Sequence, residues 1–366
     1  MRREAFNKII HRVMVRRGYS GYDAENVFWE RFDDLFHNNT TTWRQKIWAQ
    51  KRGFLSEKIQ VYGLTEENYR DYLADFTYQK LLPLDGFFRK WIDDKLSIRY
   101  ILQPFAEYLP EYYFQITSGK LYILPDAPPG LEASIEGILS LLKDRQDLVL
   151  KPTAGSQGLG FYKLHLSGGR YYINDQLVQP QEVRALLANS KDALVTEYLT
   201  AHEDIRRFYA HAPNSVRVLV LNATGQDPLV ANAYIKFGTV KSGVIDNTHA
   251  GGLFAEVDVA SGEFNDAFEW EDRKLTRFKI HPDSGEVFSG TLPHWELLKQ
   301  KLCEIGLYIP QLSYLGYDIV ITRDSFKIIE INSRPGIGIQ CKRPFLRDNL
   351  CKDFFDDRIE KKRRGQ

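Results

Sequence analysis

Cysteine is scarce in this chain: Cys303, Cys341 and Cys351 are the only three among 366 residues, and they are widely spaced. Such spacing offers neither a disulfide framework nor a zinc-ligand pattern, and it suits a reduced intracellular compartment. A surplus of either charge sign is also missing. Forty-nine basic residues meet 48 acidic ones for a formal net charge of +1, so global charge gives no reason to expect nucleic-acid binding. No uninterrupted apolar run of about 18 residues occurs, which argues against a membrane-spanning helix, and no secretory signal is read at the start. What remains, 43% hydrophobic and 27% charged residues, describes a soluble globular chain, long enough to bury a core and divide into domains. The expected location is cytoplasmic, with the inner face of a membrane as the one additional contact considered.

That contact is raised by "MRREAFNKIIHRVMVRRGYSG", a basic helix broken near Gly18. Phe6, Ile9, Ile10, Val13 and Met14 supply apolar packing, and Arg2, Arg3, Lys8, Arg12, Arg16 and Arg17 keep the helix wet. It reads either as a helix packed on the body with a solvated basic edge or as one lying on an anionic membrane surface.

The pattern divides the chain into a helical region over 1–90, a small mixed region over 91–146, strand-rich regions over 147–200, with a glycine-rich loop, and over 201–345, and a polar tail over 346–366. A hairpin is expected around Ser118-Gly119. From Asp147 onward, strand-like segments such as "DLVLKP", "ALVTEYL", "SVRVLVL", "GYDIVIT" and "FKIIEIN" are interspersed with helix-like ones such as "QPQEVRALLANS". Their irregular spacing favours an α+β arrangement over a parallel βαβ array.

Three stretches carry chemistry. In "LVLKPTAGSQGLGFYKL", Lys151 closes a strand and Gly155, Ser156, Gly158 and Gly160 form a turn whose backbone amides can cradle phosphate oxygens. The stretch lacks the Walker spelling, and an ordinary flexible hairpin is the competing reading. Glu197, closing "ALVTE", is either a nucleoside contact or a solvated linker glutamate. Arg217 in "NSVRVLVL" is either a clamp for phosphate or carboxylate, or an ordinary edge-strand arginine. Finally, "GYDIVITRDSFKIIEIN" folds as a hairpin centred near Asp324. Asp318 then lies opposite Glu330, and strand alternation puts Asn332 on the face of Glu330 while Ile329 and Ile331 face away. Two carboxylates and an amide are hard oxygen donors suited to magnesium; a polar outer hairpin face is the plainer alternative. Arg334 follows immediately, where it can neutralise phosphate charge.

Taken together, "DDKLSIRYIL", "LVLKPTAGSQGLGF", "ALVTEYL", "NSVRVLV", "DNTHAGGLFAEVD" and "GYDIVITRDSFKIIEINSRPG" resemble the ATP-grasp superfamily, and more narrowly its sugar-transfer-associated branch, over roughly residues 85–345. The resemblance implies an ATP-grasp fold with nucleotide held between two α+β subdomains. It implies that Lys95 and Lys151 contact the nucleotide and that the Gly155–Gly160 loop is a mobile lid. Glu197 and Leu199 would receive adenosine, and Arg217 would stabilise the transferred phosphate. Lys236 would add a phosphate contact, and Asp318, Glu330 and Asn332 would hold magnesium. The segment holding Asn247, His249, Gly251 and Gly252 would be a substrate or phosphate loop. His249 is there a candidate for proton transfer, with a structural or substrate-positioning role as the other reading. The implied reaction joins a carboxylate to an amine through an acyl phosphate at the expense of ATP, on small molecules or glycan precursors. A kinase that stops at a phosphorylated product, and a nucleotide-binding assembly protein without turnover, are the alternatives.

Overall fold

The computed structural model describes residues 2–21, 23–155, 160–337, 340, 343–347 and 349–364. The N-terminal third is helical, as the sequence pattern predicts: α1 (Arg2–Arg16), α2 (Ala24–Phe36), α3 (Trp43–Lys51), α4 (Lys58–Val61) and α5 (Asp75–Leu81), followed by α6 (Lys95–Ile101). Thr42 starts α3 with a capping box shared with Gln45, which satisfies amide groups that the first turn leaves without partners. Asp94 does the same for α6 by accepting from the Ser97 amide at 2.8 Å, and thereby fixes where Lys95 begins the helix.

Two seven-stranded sheets follow, antiparallel at every strand pairing among the described residues. The first contains β1 (Tyr112–Thr117), β2 (Lys120–Ile123), β3 (Asp147–Pro152), β4 (Tyr162–Ser167), β5 (Arg170–Ile173), β6 (Gln176–Val178) and β7 (Ala193–Glu197), in the order β2-β1-β7-β3-β4-β5-β6. Ser118 and Gly119, at φ of 51° and 73°, make the tight turn between β1 and β2, a conformation whose twist matches an antiparallel hairpin. Helices α7 (Ile135–Arg145) and α8 (Pro180–Asn189) cover one face of this sheet over Leu148, Leu150, Leu164 and Val195. Alternation then turns Val149 and Lys151 of β3 to the other face. Because β1 pairs with β7, the boundary expected at residue 147 falls inside one sheet. The strands of the mixed region belong to the same unit as the glycine-rich loop.

After the short helix α9 (Glu203–Arg206), the second sheet is built from β8 (Val216–Leu221), β9 (Leu229–Phe237), β10 (Leu253–Glu256), β12 (Ala267–Glu271), β13 (Lys274–Phe278), β15 (Tyr314–Ile321) and β16 (Phe326–Asn332), with β11 (Glu263–Asn265) and β14 (Ser289–Thr291) as a separate pair. Helix α10 (Trp295–Tyr308) seals one face over Val218, Val220, Ala233 and Ile319. The opposite face is shared. Leu219, Leu221 and Tyr314 lie beneath α5 and a last helix, α11 (Asn349–Arg363), whereas Arg217 and Asp318 face a cleft. The expectation of a polar tail over 346–366 is corrected here: Phe354 and Phe355 of α11 are buried against Tyr314. The signal was present, since Cys351, Phe355 and Ile359 recur at four-residue intervals. Neither Cys303 nor Cys351 takes part in a disulfide, and Cys341 lies outside the described residues.

Candidate active site

A cleft of about 460 Å³ runs between the two sheets. Its floor is a transverse row produced by strand register. Tyr234 of β9 pairs with Arg217 of β8, Arg217 with Asp318 of β15, and Asp318 with Glu330 of β16. The last pairing is the one that the hairpin around Asp324 predicts. A bulge after Asp318 modifies the expected alternation: Ile319 pairs with Ile328, so β16 carries one extra residue. In consequence Ile329 lines the cleft beside Glu330 instead of facing away, because a bulge re-aims side chains locally.

Asp318, only 5% exposed, is the electrostatic centre of this row. Arg217 grips it with two bonds, Nε to Oδ1 at 2.5 Å and Nη2 to Oδ2 at 2.7 Å, and donates a third to the Pro335 carbonyl at 3.2 Å. Lys236 Nζ stands 3.4 Å from Asp318 Oδ1 and 3.7 Å from Asp246 Oδ1. Burial alone pushes the Asp318 carboxyl upward, but Arg217 and then Lys236 outweigh it and hold the group well below the usual carboxylate range. Burial works against the charge of Arg217 and Lys236 too, and the facing carboxylates reverse it, raising both above their ordinary values.

The first sheet and α6 supply the opposing wall. Lys95 Nζ bonds the Gly155 carbonyl at 3.0 Å and lies 3.3 Å from Glu330 Oε1. The Lys95 amide also bonds the Thr153 carbonyl at 2.9 Å, tying α6 to the root of the glycine-rich loop. Lys151 is 9% exposed, and burial followed by the neighbouring Lys95 charge lowers its pKa to about 8. Glu197 ends β7 with Oε2 accepting from the Glu111 amide at 3.1 Å, and Leu199 and Val149 add apolar lining. Gly160 stands where the loop returns against its own strand: at φ 75°, an added Cβ would lie 2.9 Å from Pro152 Cγ. Ser156 and Gly158 lie outside the described residues.

The cleft therefore brings together Lys95, Lys151, Gly155, Glu197, Leu199, Arg217, Lys236, His249, Asp318, Glu330, Asn332 and Arg334, while Gly160 stands outside its lining beside Pro152. Asn247 also lines it and caps the turn to His249 by accepting that residue's amide at 2.9 Å. His249 itself is exposed. Gly251 and Gly252 close the turn behind them, Gly251 at φ 94°. A Cβ on Gly252 would meet the Asp246 carbonyl at 2.6 Å and the Asn247 carbonyl at 2.9 Å. Gly252→Ala is therefore expected to cost about 1–3 kcal/mol of stability through overpacking, checked by urea unfolding.

Two acidic residues that pair with cations of the cleft have no counterpart in the sequence reading. Asp246 pairs with Lys236 and accepts the Ser215 amide; it lies inside the "DNTHAGG" stretch and was legible as a carboxylate beside it. Asp23, at the start of α2, pairs with Arg334 at 2.6 Å across 311 residues, and no local signal points to it. Related contacts hold the loop that follows β16 against the helical region: Ser333 Oγ bonds Asp93 at 3.1 Å, and Gln340 exchanges two bonds with the Leu73 backbone.

Lys151 carries a pH prediction. Because its folded-state pKa is about 8, it loses its proton as pH rises through that value. Affinity for an anionic ligand that favours the charged lysine should then weaken by up to about tenfold per pH unit. Calorimetric titration of magnesium-ATP between about pH 7 and pH 9 should show this slope in the unaltered protein. Lys151→Met should bind more weakly and show a flatter profile.

Among solved structures, the ATP-grasp ligase PsnB complexed with minimal precursor superposes with a TM-score of 0.39 at 14% identity, covering 75% of this chain and 63% of that one. A D-alanine-D-alanine ligase from Coxiella burnetii gives 0.39 at 11% identity over 75% of this chain and 59% of that one. The ligase of the same name from Bacillus anthracis gives 0.40 at 12% identity over 76% and 72%. This chain thus spans less than two thirds of the first two, and superpositions this loose carry no residue role, substrate or reaction across. No curated protein matches the chain. A family model described as sugar-transfer associated ATP-grasp matches residues 85–350, which include both walls of the cleft and all six stretches that bear the resemblance. The chain belongs to the sugar-transfer associated ATP-grasp family.

Proposed function

We propose that this protein is an ATP- and magnesium-dependent carboxylate–amine ligase acting on glycan precursors. The observation that carries the reading is the opposition of Lys95 and Lys151 on one wall to the Arg217–Asp318–Glu330 row on the other. Lysines facing a half-buried arginine and two carboxylates suit a polyphosphate that arrives with a divalent cation. The glycan assignment rests on the description of the family.

The donor set fits magnesium. Asp318 receives two short arginine bonds and two weaker contacts at 3.4 Å, from Lys236 Nζ and Asn332 Nδ2. Lys236 has Asp246 as a second partner, and rotation of the Asn332 amide exchanges its nitrogen for an oxygen. Asp318, Glu330 and Asn332 would then present three oxygen groups, and magnesium held there would neutralise phosphate charge.

The chain's own residues divide the remaining work. Lys95 and Lys151 hold the triphosphate, and Glu197 and Leu199 receive the nucleoside. Arg217, oriented by Asp318 and the Pro335 carbonyl, faces the phosphoryl group as it passes to the acceptor carboxylate, with Lys236 and Arg334 adding positive charge. The loop from Gly155 to Gly160 excludes water from the acyl phosphate. The amine attacks in its neutral form, displacing phosphate; its proton passes to solvent or to His249 at the rim.

The test is product analysis with panels of sugar carboxylates, amino acids and amino sugars. The ligase reading expects ADP and inorganic phosphate to be released in equal amounts only when a carboxylate and an amine are both present. Retention of phosphate on a single substrate would identify a kinase instead. Magnesium-ATP binding without turnover on any panel would favour an assembly protein.

A further inference from the structure

The helical N-terminal region carries an exposed aromatic ridge that the cleft does not use. Its rings touch in sequence: Phe6 lies 6.2 Å from Trp29, Trp29 5.7 Å from Phe32, Phe32 4.5 Å from Phe36, and Phe36 6.0 Å from Trp43. These rings and Ile9 are between 36% and 59% exposed. Single exposed hydrophobic residues are ordinary, whereas a contiguous run across three helices marks an interaction surface.

Helix α1 shows how the ridge arises. Ile10 and Met14 are buried in the core with Tyr19, Val27 and Phe76. Phe6 and Ile9, three residues apart, form a second apolar stripe beside that buried one. The helix carries Arg2, Arg3, Lys8, Arg12 and Arg16 against the single acid Glu4. At helical spacing, Arg12 and Arg16 flank the second stripe. Of the four acids of α2, Glu25 stands 3.8 Å from His11 of α1, and the other three are engaged elsewhere. Asp34 is fully buried on Ser56 and Asn38, Asp33 pairs with Arg273, and Glu30 accepts a bond from Gln79. The surface thus combines exposed aromatic rings with a basic border.

We propose that this ridge docks the protein on an anionic lipid bilayer, the aromatic rings entering the headgroup boundary and the arginines meeting lipid phosphates. The basic border selects this occupant over a neutral apolar partner or a second basic copy. Docking would also place the cleft near the bilayer. Asp23, the partner of Arg334, immediately precedes helix α2, whose 13 residues span about 20 Å.

The test is vesicle flotation of the full chain. Phosphatidylcholine vesicles are compared with vesicles containing about one third phosphatidylglycerol, at low and high salt. The protein is expected to float with the anionic vesicles alone and to be released by salt. Arg12→Glu with Arg16→Glu, and separately Trp29→Ser with Phe36→Ser, should each weaken flotation about tenfold or more. Unchanged circular dichroism would show that both pairs remain folded. Quenching of tryptophan fluorescence by brominated anionic lipid in the unaltered protein gives a second readout that needs no variant. Absence of both flotation and quenching, or flotation of both double variants at the unaltered level, overturns the proposal. So does a dimer, seen by light scattering, that Trp29→Ser with Phe36→Ser dissociates while no vesicle binds; the ridge is then a contact between copies.

Discussion

Glu330→Ala is expected to lower magnesium-dependent ATP turnover by about a thousandfold while leaving the chain folded. Glu330 closes the row from Tyr234 through Arg217 and Asp318, and its side chain is 26% exposed with Lys95 as its ion-pair partner. Removing it opens no large core cavity, and Lys95 keeps its bond to the Gly155 carbonyl. The loss should therefore fall on chemistry rather than on stability. ADP release measured over a magnesium titration, beside a thermal melt, separates the two. Turnover at the unaltered level in a folded Glu330→Ala protein would remove the residue from the proposed metal set. A loss recovered at high magnesium would mean weakened metal binding, and a loss independent of magnesium would point to phosphate placement through Lys95.

Asp318→Asn should show the reverse balance, a large stability loss together with inactivity. The substitution keeps the shape and removes the anion between Arg217 and Lys236, both partly enclosed beside it. Leaving buried cations without their counter-charge costs about 3–5 kcal/mol, measurable as a shifted urea midpoint. Replacing Arg217 and Asp318 together by Met and Leu should recover much of that stability, because the desolvation of both ions is no longer required. The double variant should remain inactive if the arginine and carboxylate serve the reaction. If Asp318→Asn unfolds at the unaltered midpoint, the buried pair has no structural role. The acid dependence has a definite sign. Asp318 has a lowered folded-state pKa, so its contribution is complete at neutral pH. It is lost only as pH falls below the ordinary carboxylate range and through that lowered value.

The local parts of the site were legible because each depends on one short stretch. Asp318 and Glu330 pair across a single hairpin with a short turn, so strand alternation and turn position suffice to set them opposite one another. Lys151 is equally readable: Leu148 and Leu150 occupy the helix-covered face of β3, which turns the lysine to the other. The bulge that brings Ile329 to the cleft was hidden, since one extra residue leaves no compositional mark in "FKIIEIN". Helix α11 was missed for a different reason. Its charged residues obscured a four-residue apolar rhythm that becomes decisive only when Phe354 and Phe355 find Tyr314.

By itself the sequence determined the two periodicities, the turn chemistry and the inventory of oxygen, lysine and glycine groups, because these follow from backbone geometry over a few residues. Only the tertiary structure decided which strands would be neighbours. That choice set Arg217 against Asp318 across 101 residues and Asp23 against Arg334 across 311, and it joined rings from three helices into one exposed ridge. Local sequence fixes the face to which a side chain turns. The partner on that face is selected by how whole sheets and helices bury their apolar surfaces together.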